Sequence, residues 1–130
     1  MLRTIAFALA LSLAPAVAAA RDDAAAALKA FTDKYHDSIV ASGELLYWVG
    51  YCEPYLPDET VTFYLDEYVS AGTGKADDFV NATLNKIHID QYLEGRRARA
   101  KAPMDGAKCK KMVEGAAADL EAAQKRASAQ

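Results

Sequence analysis

The sequence predicts an all-α protein, a small antiparallel four-helix bundle stapled by one disulfide and preceded by a cleaved signal peptide. Three observations predict it. Apolar residues recur at helical spacing through residues 22–127. Short segments rich in proline and glycine divide that pattern into four. The only two cysteines, Cys52 and Cys109, fall where an up-down bundle brings the end of the first helix to the start of the fourth.

The first twenty residues read as an export signal. Arg3 supplies a positive start, Ile5 to Leu13 a short apolar stretch that Pro15 ends, and Ala18-Ala19-Ala20 a small-residue cleavage site followed by Arg21-Asp22-Asp23. The apolar stretch is shorter than the roughly 20 residues that cross a bilayer, and no other segment is long and apolar enough, so no membrane span is expected. Residues 1–20 are thus expected to be the signal peptide and 21–130 a single helical domain. An alanine-rich signal of bacterial type points to the periplasm, or to secretion beyond it, where oxidising conditions let Cys52 and Cys109 pair.

The first helix is expected from Asp22 to about Gly50, with Leu28, Phe31, Tyr35, Ile39 and Leu46 on one stripe. Gly43 and Gly50 lie near that face and predict a close helix approach or a kink. Pro54 and Pro57 stop the helix because neither supplies a backbone donor. A second helix should start near Pro57-Asp58-Glu59, with acids facing the positive end of the dipole, and run to Gly72 with Val61, Leu65, Tyr68 and Val69 inward. Gly72-Thr73-Gly74 is the connector. The third helix is expected from Ala76 or Asp77 to about Ala100, with Phe79, Val80, Leu84, Ile87 and Leu93 inward. Pro103 and Gly106 interrupt the pattern. The fourth helix, from about Ala107 to Ala127, turns Cys109, Met112 or Val113, Ala116, Leu120 and Ala123 to the core.

Charge is unevenly spread. Residues 21–95 carry 5 basic and 14 acidic side chains, whereas residues 96–130 carry 9 basic and 4 acidic. Arg96, Arg97, Arg99, Lys101, Lys108, Lys110 and Lys111 flank the third loop. They read either as an anion-binding patch for lipid phosphates or an acidic protein, or as a solvated face that complements the helix dipole. Nucleic acid is not expected as a partner, given the net charge of −3, the exported compartment and the lack of any aromatic residue between Arg96 and Lys111.

The densest run of large side chains is residues 45–55. One helix face cannot bury Tyr47, Trp48, Tyr51 and Tyr55 together, so some of these rings are expected to be partly exposed beside the disulfide. They form either an interface or a cover over the cystine. His36 and His88, the only histidines, have no nucleophile or metal motif around them and read as surface or boundary residues. No enzymatic activity, cofactor or metal is therefore expected.

An export signal, about a hundred helical residues and one cystine are, as a format, similar to small periplasmic acid-stress chaperones and to periplasmic immunity proteins that neutralise cell-wall toxins. The expectation is a non-enzymatic periplasmic binding or adaptor module that engages a protein or an anionic envelope component. It would do so through Tyr47, Trp48, Tyr51, Tyr55, Arg96, Arg97, Arg99, Lys101 and Lys108. An acid-responsive chaperone that opens as its 18 carboxylates protonate, or an immunity protein, is the alternative.

Overall fold

The computed structural model describes residues 2–69 and 78–129, with side chains described for 22–69 and 82–129. Among these residues there are four α-helices and no strand. They are α1 (Leu2–Cys52), α2 (Asp58–Val69), α3 (Asp78–Lys101) and α4 (Gly106–Ser128), with a single 3-10 turn, Glu53–Tyr55, between α1 and α2. The connector Gly72-Thr73-Gly74 and the side chains of Phe79 and Val80 lie outside the described residues.

Helix boundaries follow local chemistry. Pro54 sits in the first turn of the 3-10 segment, and Pro57 provides the carbonyl that accepts from both Thr60 N and Val61 N as α2 begins. Asp58 and Glu59 occupy the first turn of α2. At α4 the Asp105 carboxylate caps the helix by accepting from Lys108 N at 2.8 Å. Lys125 and Arg126 close its last turn, opposite the negative end of the dipole. The Ile87-His88-Ile89 segment, weakly strand-like in sequence, is helical within α3.

α1 is the central element, packing along α3 and α4, while α2 lies against α3 and α1. Leu45, Leu46 and Val49 of α1 are fully buried against Val113, Ala116 and Leu120 of α4, with Tyr92 from α3 and Val61 from α2 completing the core. Each leucine so buried contributes about 1.5–3 kcal/mol. Cys52 and Cys109 form the disulfide, have Cα atoms 5.4 Å apart and are both 0% exposed. This distance lies in the middle of the range that unstrained cystines span.

α1 and α3 touch backbone to backbone. A Cβ on Gly50 would come within 3.0 Å of the Tyr92 carbonyl, and one on Gly95 would do the same to the Tyr47 carbonyl. Two glycines, one on each helix, therefore allow an approach that any side chain forbids, which is the close contact expected at Gly50. Gly95 was not part of that expectation.

The α3 face differs from its expected one. Ile87 and Leu93, read as inward, are each 39% exposed, while His88, Tyr92 and Gly95 are buried. Hydropathy selects the wrong phase here because the inward stripe includes a histidine and a glycine, which no apolar count rewards. α4 is as expected: Cys109, Val113, Ala116, Leu120 and Ala123 all face the core, with Val113 rather than Met112 the more buried.

Gly115, in contrast, has open space around its absent Cβ. Gly115→Ala is expected to stabilise the protein by about 1 kcal/mol through helix propensity alone, read as a higher urea midpoint at unchanged slope.

Candidate functional site

The disulfide pole gathers the residues singled out from the sequence. Tyr47, Trp48 and Tyr51 form one ring cluster on α1, with centroids 5.1 Å apart for Tyr47–Trp48 and 5.4 Å for Trp48–Tyr51, both edge-to-face. Helical spacing of three and four residues stacks Tyr51 over the other two. Tyr51 is 7% exposed and belongs to the core, whereas Tyr47 and Trp48 are half-buried against it. Tyr55, lifted off α1 by the 3-10 turn, is 50% exposed. Its ring lies over Gly106 at the start of α4, where an added Cβ would be 3.2 Å from Cδ1.

Three of the arginines are held by the fold. Arg96 Nε is 3.3 Å from the Glu53 carboxylate, which also accepts from the Tyr92 hydroxyl at 2.7 Å. Burial first, and then that hydrogen bond, push the Tyr92 phenol up to about 12, so it stays protonated and donates. Arg99 Nη1 donates to the Gly50 carbonyl at 3.3 Å, meeting one of the acceptors left over at the end of α1. Arg97 pairs with Glu94 on its own helix. Lys101, Lys108 and Lys111 are exposed and form no ion pair among the described residues. The free positive charge of the pole therefore resides on these lysines.

α2 stands off from α4 and leaves a groove of about 800 Å³. Tyr55, Leu56 and Tyr64 wall one side; Val113, Ala117 and Ala118 of α4 form the other. The small α4 side chains keep it open, and Lys110 and Glu114, 3.9 Å apart, mark its rim. The sequence picked out Tyr55 here but not Tyr64 or the alanines. Alanine carries no signal beyond helix propensity, so no count of large side chains could have found the groove.

His88 corrects a further expectation. It is 6% exposed rather than at the surface, and both ring nitrogens are bonded. Nδ1 lies 2.7 Å from the Tyr68 carbonyl and Nε2 2.8 Å from Ser42 Oγ. A carbonyl only accepts, so Nδ1 carries the proton, and in the neutral ring Nε2 accepts from the Ser42 hydroxyl. The imidazole thus clasps α1, α2 and α3 together. Burial holds its pKa below the ordinary 6.5, against the smaller upward pull of the Tyr68 carbonyl.

A depressed folded-state pKa means that the unfolded chain binds the proton more readily. The clasp's contribution is therefore complete above about pH 6.5 and is lost as pH falls from there through the folded pKa. Between pH 8 and 5 the wild type is expected to lose more stability than His88→Gln, by at most about 1.4 kcal/mol per pH unit. Melting curves of the two across that range check it, and parallel curves would refute it.

Among the described residues, no three His, Cys, Asp or Glu side chains come together as a metal site, and no helix is long and apolar enough to cross a membrane. Fold and site together define an all-helical protein with a buried cystine and an apolar groove between α2 and α4. No family model, curated protein or solved structure matches the chain.

Proposed function

We propose that the chain is an exported, non-enzymatic helical binding module. Its α2–α4 groove takes a protein segment with an apolar face. The observation that carries this reading is the groove itself: tyrosine walls and an alanine floor, with Lys110, Glu114 and Glu121 as its charged lining. Small residues flanked by aromatics suit an amphipathic helix laid into a groove, and Tyr is a frequent anchor at such interfaces.

Export is supported by the residue 1–20 pattern and by a buried cystine that needs an oxidising compartment to form. An antiparallel up-down arrangement is supported by the Cys52–Cys109 link at one pole and by the approach of Arg126 to Asp37 near the other.

A photo-crosslinking residue at Thr60, on the groove wall, is expected to yield a discrete protein adduct in cells that export the chain. The same residue at Lys29, outside the groove, is expected to yield none. Ala117→Arg, which fills the floor, should abolish the adduct. An adduct unaffected by Ala117→Arg, or cross-linking only to anionic lipid, would remove the reading.

A further inference from the structure

At the opposite end of the core from the disulfide lies a second cavity, of about 280 Å³, between α1, α2, α3 and α4. Its walls are mainly apolar: Phe31, Tyr35, Ile39, Leu84, Leu120 and Ala127. Ser38 also lines it, and the Ser38 hydroxyl is buried with no hydrogen-bond partner. This is unusual for the chain. Other hydroxyls on these helices bond back to a preceding carbonyl, as Thr32 does to Leu28 and Ser128 to Gln124. A buried hydroxyl left without a partner is destabilising, and such groups in native proteins have a reason.

The ionisable groups around the cavity decide the ligand's charge. Among the described residues, no lysine, arginine, aspartate or glutamate lines it. His88 is at its wall, but both of its nitrogens are engaged by Ser42 and Tyr68, so it offers no charge to a ligand. An anion or cation entering here would lose its hydration without finding a counter-charge. The volume lies near the lower end of small-molecule sites and exceeds by several-fold the roughly 30 Å³ of one water.

We infer that this cavity binds a small uncharged molecule with an apolar body and one hydrogen-bonding oxygen, of the medium-chain alcohol class, its oxygen paired with the Ser38 hydroxyl. The apolar body lies against Phe31, Ile39, Leu84 and Leu120. The inference is independent of the α2–α4 groove, which none of these residues lines.

The test is a titration of the purified, oxidised protein at pH 8, followed by backbone amide shifts, with 1-octanol and octanoate as probes. Octanol is expected to shift the amides of Ser38, Ser42, Leu84 and Leu120 saturably, with octanoate at least about tenfold weaker because its charge is not compensated. Ser38→Ala should weaken octanol about three- to tenfold, the range of one hydrogen bond. Ala127→Trp, which fills the cavity from its rim, should abolish binding while helical circular dichroism and the cystine persist. If that variant does not fold, Ser38→Leu serves the same purpose from the other wall. Octanoate binding as tightly as octanol, octanol shifts confined to Val113 and Ala117, or octanol binding unchanged in the filled variant would each overturn the inference. So would the absence of saturable shifts up to the solubility limit of octanol.

Discussion

Replacing both Cys52 and Cys109 with alanine is expected to lower the unfolding free energy by about 4 kcal/mol, the loop-closure value for the 57-residue separation of the pair. For a domain of ordinary stability, about 5–15 kcal/mol, that is a large share of the whole. The melting point should fall by more than about 10 °C. The effect is large because the bridge joins the end of α1 to the first turn of α4, so in the unfolded chain it constrains nearly everything between them. Both sulfurs lie in the core, so a reductant reaches them only after local opening, and reduction of the native protein should be slow compared with that of the denatured protein. Oxidised protein and the double variant that melt within a degree of each other would show that the staple is dispensable.

Gly95→Ala and Gly50→Ala are each expected to destabilise the protein by about 2–3 kcal/mol, as overpacking of a closed interior does. Alanine is favoured over glycine in a helix by about 1 kcal/mol, so two effects compete. Sterics win because the atoms in the way are backbone. The new methyl at position 95 would meet the Tyr47 carbonyl and the Tyr51 nitrogen, and at position 50 the Tyr92 carbonyl, none of which can rotate aside. α1 and α3 must then separate, which also lengthens the Arg99 contact to the Gly50 carbonyl. Because both glycines relieve the same crossing, the double variant should lose less than the sum of the singles. Urea unfolding of the four proteins measures this, and a Gly95→Ala variant as stable as the parent would mean that the helices part easily. Set beside Gly115→Ala, which faces open space, the same substitution takes opposite signs at different positions.

Legibility varied by helix for a physical reason. α4 buries cysteine, valine, leucine and alanines, so its apolar period and its inward face coincide. α3 buries His88, Tyr92 and Gly95, and Ile87 and Leu93 are left half-exposed on other faces. The inward face of α3 is selected by what α1 presents: a serine hydroxyl to meet an imidazole, a glycine to admit the Tyr92 carbonyl, and the Tyr47 carbonyl to fill the space over Gly95. Such matches are pairwise and invisible to a one-residue property. For the same reason His88 read as an ordinary boundary histidine until Ser42 and the Tyr68 carbonyl were brought to it.

The candidate pole was partly visible as well. The clustering of Tyr47, Trp48, Tyr51 and Tyr55 with cations near two cysteines can be read directly from the chain, and the expectation that not all four rings are buried agrees with the exposure of Tyr55. Division of the cations into held and free could not be read. It depends on Glu53, which follows α1 in sequence but faces Tyr92 and Arg96 across the fold.

By itself, then, the sequence determined that the chain is helical, where its helices stop, and that Cys52 and Cys109 could meet, because periodicity, prolines and cysteine number are local or countable properties. Only the tertiary structure decided which side of α3 faces inward, how closely α1 and α3 approach, which cations remain unpaired, and that a buried imidazole and an unpartnered serine hydroxyl border one cavity. Each of those is a relation between residues far apart in the chain, set by the shape and hydrogen bonding of both partners.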